Sequence, residues 1–120
     1  MNSRGKEIIE FTEFLDISSK LDVRVGEIVE VEEVPKSDKL LKLKVKFGEV
    51  EKIAVTNIKP QIEKQFEGGY MELVGKRSPF VMNLKPSKIM GVESEVMIMP
   101  FTDSDDNFYF NDIKNKTILI

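Results

Sequence analysis

Apolar and charged residues alternate along most of this 120-residue chain, and the period of the alternation predicts its elements. Leu41, Leu43, Val45 and Phe47 alternate without a fault with Lys42, Lys44 and Lys46, which predicts a strand buried on one face. Residues 21–34 place Val23, Val25, Val29 and Val31 at period two, opposite Asp22, Arg24, Glu30 and Glu32. Glu27 breaks that pattern directly after Gly26, so a bulge or bend is predicted there. A third strand is expected over residues 50–58, with Ile53 and Val55 inward. Turn chemistry at Pro35-Lys36-Ser37-Asp38-Lys39 and at Gly48-Glu49 separates the three.

Beyond them the period changes. Residues 61–66 read as a short helix entered through Lys59-Pro60 and closed by Gly68-Gly69. Brief strands are expected over residues 70–74, 80–82, 96–101 and 108–110, and Lys116 to Ile120 is a β-prone end. Near the start, Ile8, Phe11 and Phe14 or Leu15 recur at close to helical spacing. This predicts a short helix that covers the end of the chain's own core or packs on a second subunit.

Several short strands, one internal helix and no alternation of strand and helix indicate an all-β dominated fold. A five-stranded OB-fold barrel, with short helices at the N-terminus and between strands 3 and 4, fits best. The expected organisation is an N-terminal segment over residues 1–20, an OB-fold core over 21–101 and C-terminal strands over 102–120.

Composition narrows the chemistry. The chain has no histidine and no cysteine, which excludes imidazole bases, thiol nucleophiles, disulfides and Cys/His zinc sites together. Asp103, Asp105 and Asp106 alternate with polar residues in a turn and lack the glycine and distal glutamate of a calcium loop. No enzyme activity, metal or cofactor is therefore expected. A net charge of −3 argues against indiscriminate coating of nucleic acid, so any charge-based function must come from local patches. No apolar run is long enough to span a membrane and no signal pattern opens the chain, so the expected compartment is the cytoplasm.

The densest candidate for function is Asn83 to Ser94. It sets a side-chain amide, Lys85, Lys88 and two hydroxyls around Pro86 and Gly91, and it reads as a stiff polar loop rather than more sheet.

Leu21-Asp22-Val23-Arg24-Val25-Gly26, Ser37-Asp38-Lys39-Leu40, and above all Asn83-Leu84-Lys85-Pro86-Ser87-Lys88 with Gly91-Val92-Glu93-Ser94 and Met97 resemble the tRNA-binding domain family. That family includes free-standing tRNA-binding proteins, the CsaA chaperones and the C-terminal domain of many methionyl-tRNA synthetases. The resemblance covers roughly Phe11 to Phe101. It implies an OB-fold that grips tRNA by shape and backbone without catalysis, as a homodimer, free-standing or beside an aminoacyl-tRNA synthetase. Carried onto this chain, it assigns tRNA contact to Asn83, Lys85, Lys88 and Ser94, with Lys39, Lys42 and Lys52 as further contacts. Lys52 stands where the family usually has an arginine. Pro86 and Gly91 would shape the loop, and Met97 would pack beneath it. The alternative within the family is a chaperone groove for unfolded peptide, built from Phe80, Met82, Met90, Met97 and Met99.

Overall fold

The structure is a computed structural model that describes residues 5–110. Strands β1 (Val23–Glu33), β2 (Leu41–Phe47), β3 (Val50–Thr56) and β4 (Arg77–Val81) follow a short helix α1 (Phe11–Ser18), and helix α2 (Lys59–Gln65) lies between β3 and β4. Three short pairs complete the order: β5 (Ser87–Ile89) with β6 (Val92–Ser94), β7 (Met97–Ile98) with β4, and β8 (Phe101–Thr102) with β9 (Phe108–Tyr109). The main sheet runs β3-β2-β1-β4-β7 with every pairing antiparallel, and it curls into the expected OB-like half-barrel.

The sheet curls because its inner face is filled with large apolar side chains. Ile28, Leu41, Leu43, Val45 and Phe80 are fully buried, and Ile62 of α2 and Leu73 close one end. Phe47 and Phe80 meet edge to face at 5.5 Å and 88°, a favoured aromatic geometry.

Gly26 lies in β1 opposite Ser78, beneath Phe47, where an added Cβ would come within 2.5 Å of both Phe47 and Val45. The glycine therefore serves close packing, and the bulge falls later. Ile28 pairs with Val45 and Glu30 with Lys44, leaving Val29 as the extra residue. Ile28, just before the bulge, is in the core, Val29 is only half-buried, and beyond the bulge the inward phase passes to Val31.

Several other local expectations are also corrected. In β3, Ile53 and Val55 oppose Lys44 and Lys42, so they lie on the sheet face away from Leu43. Val55 is nonetheless buried there and Ile53 half-buried, and Ala54 opposite Leu43 supplies the contact with the main core. Residues 69–73 form a 3-10 helix instead of a strand. The loop from Asn83 to Ser94 contains the small antiparallel hairpin β5–β6. Helix α1 buries no residue, so it does not cover the barrel end. The expected terminal strand, residues 116–120, lies outside the described residues.

One seam closes the barrel. The amides of Glu95 and Val96 donate to the Ile53 carbonyl at 2.8 and 3.3 Å. Side chains replace further rungs of a ladder: the Ile53 amide donates to Glu95 Oε1 at 2.9 Å, and the Val55 amide to Ser94 Oγ at 3.0 Å.

Candidate nucleic-acid interface

The segment between β4 and β7 stands out from the barrel as an arm that is fixed at both roots. At its entry the Asn83 amide bridges to the start of β1: Oδ1 accepts from the Asp22 amide at 3.0 Å and Nδ2 donates to the Lys20 carbonyl at 2.5 Å. The Met82 amide adds a bond to the Asp22 carbonyl at 2.8 Å. At its exit Ser94 Oγ accepts from Val55 and donates to the Val96 carbonyl at 3.2 Å, next to the Glu95 bond to Ile53. Both side-chain groups that the sequence nominated for RNA contact are thus bonded to the chain's own backbone.

Between the roots, Pro86 leads into β5 and the chain reverses at Met90-Gly91. Both residues have positive φ, 51° and 84°, the pattern of a tight hairpin turn twisted to match its strands. Gly91 is the residue that such a turn favours; Met90 is not, which is why the hairpin was not legible. Register places Lys88 opposite Glu93, and Lys85 is exposed in the approach to β5.

A second polar loop approaches from the other side. Ser37 Oγ accepts from the amides of Lys39 and Leu40 at 3.2 and 3.1 Å, which fixes the turn between β1 and β2 with Lys36 and Lys39 exposed. Leu40, at the end of this turn, and Ile89, on the arm, line one open groove together with Val55, Ile58, Met97 and Pro100. This part of the groove holds about 450 Å³ and runs on into a smaller hollow of about 190 Å³ beside Leu84 and Lys85. Met97, expected to lie beneath the site, is 48% exposed and lines both hollows.

Charge separates the lysines into two sets. On the outer sheet face, Lys42 pairs with Glu32 at 3.7 Å and Lys44 with Glu30 at 3.2 Å. The Glu30 carboxylate hydrogen-bonds Lys44 and holds its pKa above the ordinary lysine value. Lys59 likewise bonds Glu33 at 2.7 Å. By contrast, Lys36, Lys39, Lys85 and Lys88 form no ion pair among the described residues. Glu30, Glu32 and Glu33 are thus matched by lysines on the sheet face, while each loop carries one more lysine than carboxylate, Lys36 and Lys39 with Asp38, and Lys85 and Lys88 with Glu93.

Of the nominated residues, Lys85, Ser94 and Met97 line the groove, whereas Lys39 and Lys88 stand next in sequence to the lining residues Leu40 and Ile89. Lys42 lies on the neighbouring paired face. Lys52 opposes the core residue Val45, so it lies on the other face of the sheet from Lys42. The five residues nominated for a peptide groove are dispersed: Phe80 is in the core, and of the other four only Met97 lines these hollows. Glu95, Leu40 and Ile89 were missed. Glu95 carried one signal, a carboxylate directly before the buried Val96 that opens the apolar run to Met99.

A family model described as "Putative tRNA binding domain" matches residues 23–117. The methionine–tRNA ligase of Methanocaldococcus jannaschii is 44% identical over 100 residues, which are 82% of this chain and 14% of the ligase. The chain thus spans only a small part of that ligase. Among solved structures, a MetRS-related protein from Pyrococcus horikoshii superposes with a TM-score of 0.72 at 31% identity, covering 96% of this chain and all of that one (100%). The CsaA chaperone protein from Picrophilus torridus gives a TM-score of 0.70 at 25% identity, over 94% of this chain and 100% of its own. With a family match over most of its length and a solved relative covered end to end, the chain belongs to the tRNA-binding domain family.

Proposed function

We propose that this chain is a non-catalytic tRNA-binding protein of the cytoplasm that holds tRNA by its shape and sugar-phosphate backbone, alone or beside an aminoacyl-tRNA synthetase. The observation that carries this reading is the convergence of two loops, whose lysines form no ion pair among the described residues, on one groove at the edge of β2 and β3. This is the face and the pair of loops through which OB-folds take up nucleic acid. Lysines act there as point charges on phosphates, and recognition by shape follows from their spacing along a rigid arm. In this scheme Lys39, Lys85 and Lys88 meet phosphates, while Asn83 and Ser94 hold the arm that carries two of them. Lys42 and Lys52 are weaker contacts, one paired with Glu32 and the other facing away.

The working unit in this proposal is a homodimer. Helix α1 offers Phe11 at 70% exposure, with Phe14, Leu15 and Ile17 about half-exposed, an apolar face without cover among the described residues. A second copy supplies that cover.

The test is tRNA binding across a range of salt. Lys85→Ala with Lys88→Ala weakens binding and reduces the slope of log affinity against log salt by about one for each phosphate that is no longer neutralised. An unchanged affinity and slope would remove the arm from the interface. Peptide binding without any tRNA binding at low salt would favour the chaperone relatives instead.

A further inference from the structure

Lysines account for the rim of the groove but not for its lining. Leu40, Val55, Ile58, Ile89, Met97 and Pro100 form an aliphatic trough with Asn57 at its lip. Its 450 Å³ falls in the range of sites that enclose small organic groups, roughly 300–1,000 Å³. The arm side of the trough is open to solvent, with Leu84 at 47% and Met97 at 48% exposure. Phosphate contact alone does not use such a surface.

Two observations choose the occupant. First, Lys39 adjoins Leu40, Lys88 adjoins Ile89 and Lys85 lines the smaller hollow, all without ion pairs among the described residues. Strand alternation sets Lys88 on the opposite face of β5 from Ile89, so the cation at the groove itself is Lys85. A group seated here is thus apolar on its faces and anionic on its arm side. Second, the β3 edge beside the trough is already occupied. An extended peptide would add to it through backbone hydrogen bonds, but the amides of Ile53 and Val55 donate to Glu95 and Ser94. A peptide gains little there, whereas a base needs only an apolar face and a polar lip.

We propose that the groove takes a single unstacked base from a loop of the bound RNA, its face against Ile89 and Met97 and its edge toward Asn57, while Lys85 holds a flanking phosphate. This rests on the tRNA reading and narrows it, because a base exposed in a loop, and not duplex shape alone, becomes part of what is recognised.

The test uses the full chain and a tRNA made with one abasic site at a time in its unpaired loop positions, which removes a base and keeps every phosphate. At least one abasic position lowers affinity by about tenfold or more, as removal of a stacked base does, with the salt slope unchanged. Met97→Ser abolishes that discrimination, and its side chain is exposed enough to change without unfolding the barrel. Equal affinity for the intact and every abasic tRNA overturns the proposal while leaving the tRNA reading intact. Discrimination that survives in Met97→Ser overturns it as well. Absence of any tRNA binding by the unaltered chain at low salt overturns both readings together.

Discussion

Asn83 accepts a hydrogen bond from the amide of Asp22, 61 residues earlier, at 3.0 Å, and so ties the root of the lysine-bearing arm to the junction between α1 and β1. The other end of the same amide holds the Lys20 carbonyl. Asn83→Ala removes both bonds, which are exposed, at a cost of about 0.5–1.5 kcal/mol for each. The expected result is a lower melting temperature and weaker tRNA binding with an unaltered salt slope. A slope that flattens as it does in the lysine variants would show that Asn83 contacts RNA itself.

The seam offers a second test. Glu95→Gln keeps an acceptor for the Ile53 amide, whereas Glu95→Ala leaves that amide unpaired. The alanine variant is destabilised by about 1–3 kcal/mol and the glutamine variant by much less. Equal destabilisation in both, measured by denaturant unfolding, would mean that the carboxylate's charge matters more than its hydrogen bond.

Gly26→Ala meets Phe47 and Val45 in the core. Overpacking of this kind costs about 1–3 kcal/mol. An undiminished unfolding midpoint in Gly26→Ala would show that Phe47 has room to turn aside.

The hairpin β8–β9 carries a pH signature. Asp103 accepts from Tyr109 at 2.7 Å and from the amides of Asn107 and Asp105, and these bonds hold its pKa at about 2, below the ordinary 3.8. Because the folded value is depressed, the contribution of this group is complete above the ordinary 3.8 and is lost as pH falls through about 2. Tyr109 shifts upward, chiefly through the same bond, so its share is present below the ordinary tyrosine range and is lost as pH rises through the higher folded value. Amide resonances of Asp105 and Asn107 followed by NMR should therefore move near pH 2; a midpoint at the ordinary aspartate value would rule the bonding pattern out.

Dimerisation is tested at α1. Phe11→Ser with Leu15→Ser reduces the sedimenting mass from that of two chains to that of one, and a mass that does not change would place the dimer interface elsewhere. Neither side chain is buried within the chain, so the barrel itself should melt as before.

Strong periodicity made much of the fold legible. The unbroken alternation of β2 set its two faces, and the absence of strand–helix repeats set the class. Phase errors arose where one residue changes everything downstream: Val29 is inserted into β1, and β3 takes its facing from the pairing of Ala54 with Leu43. Single-strand patterns do not carry register. The Asn83–Ser94 segment was legible as a presenter of polar groups from its residue types and its family resemblance. What Asn83 and Ser94 bond to was not, because their partners lie 61 and 39 residues away.

Only short stretches of main chain hold the barrel shut between β3 and β7, and the side chains of Ser94 and Glu95 do the rest. Those two residues also end the arm. Force applied to the arm therefore passes directly into the joint of the barrel, because the same two side chains serve both.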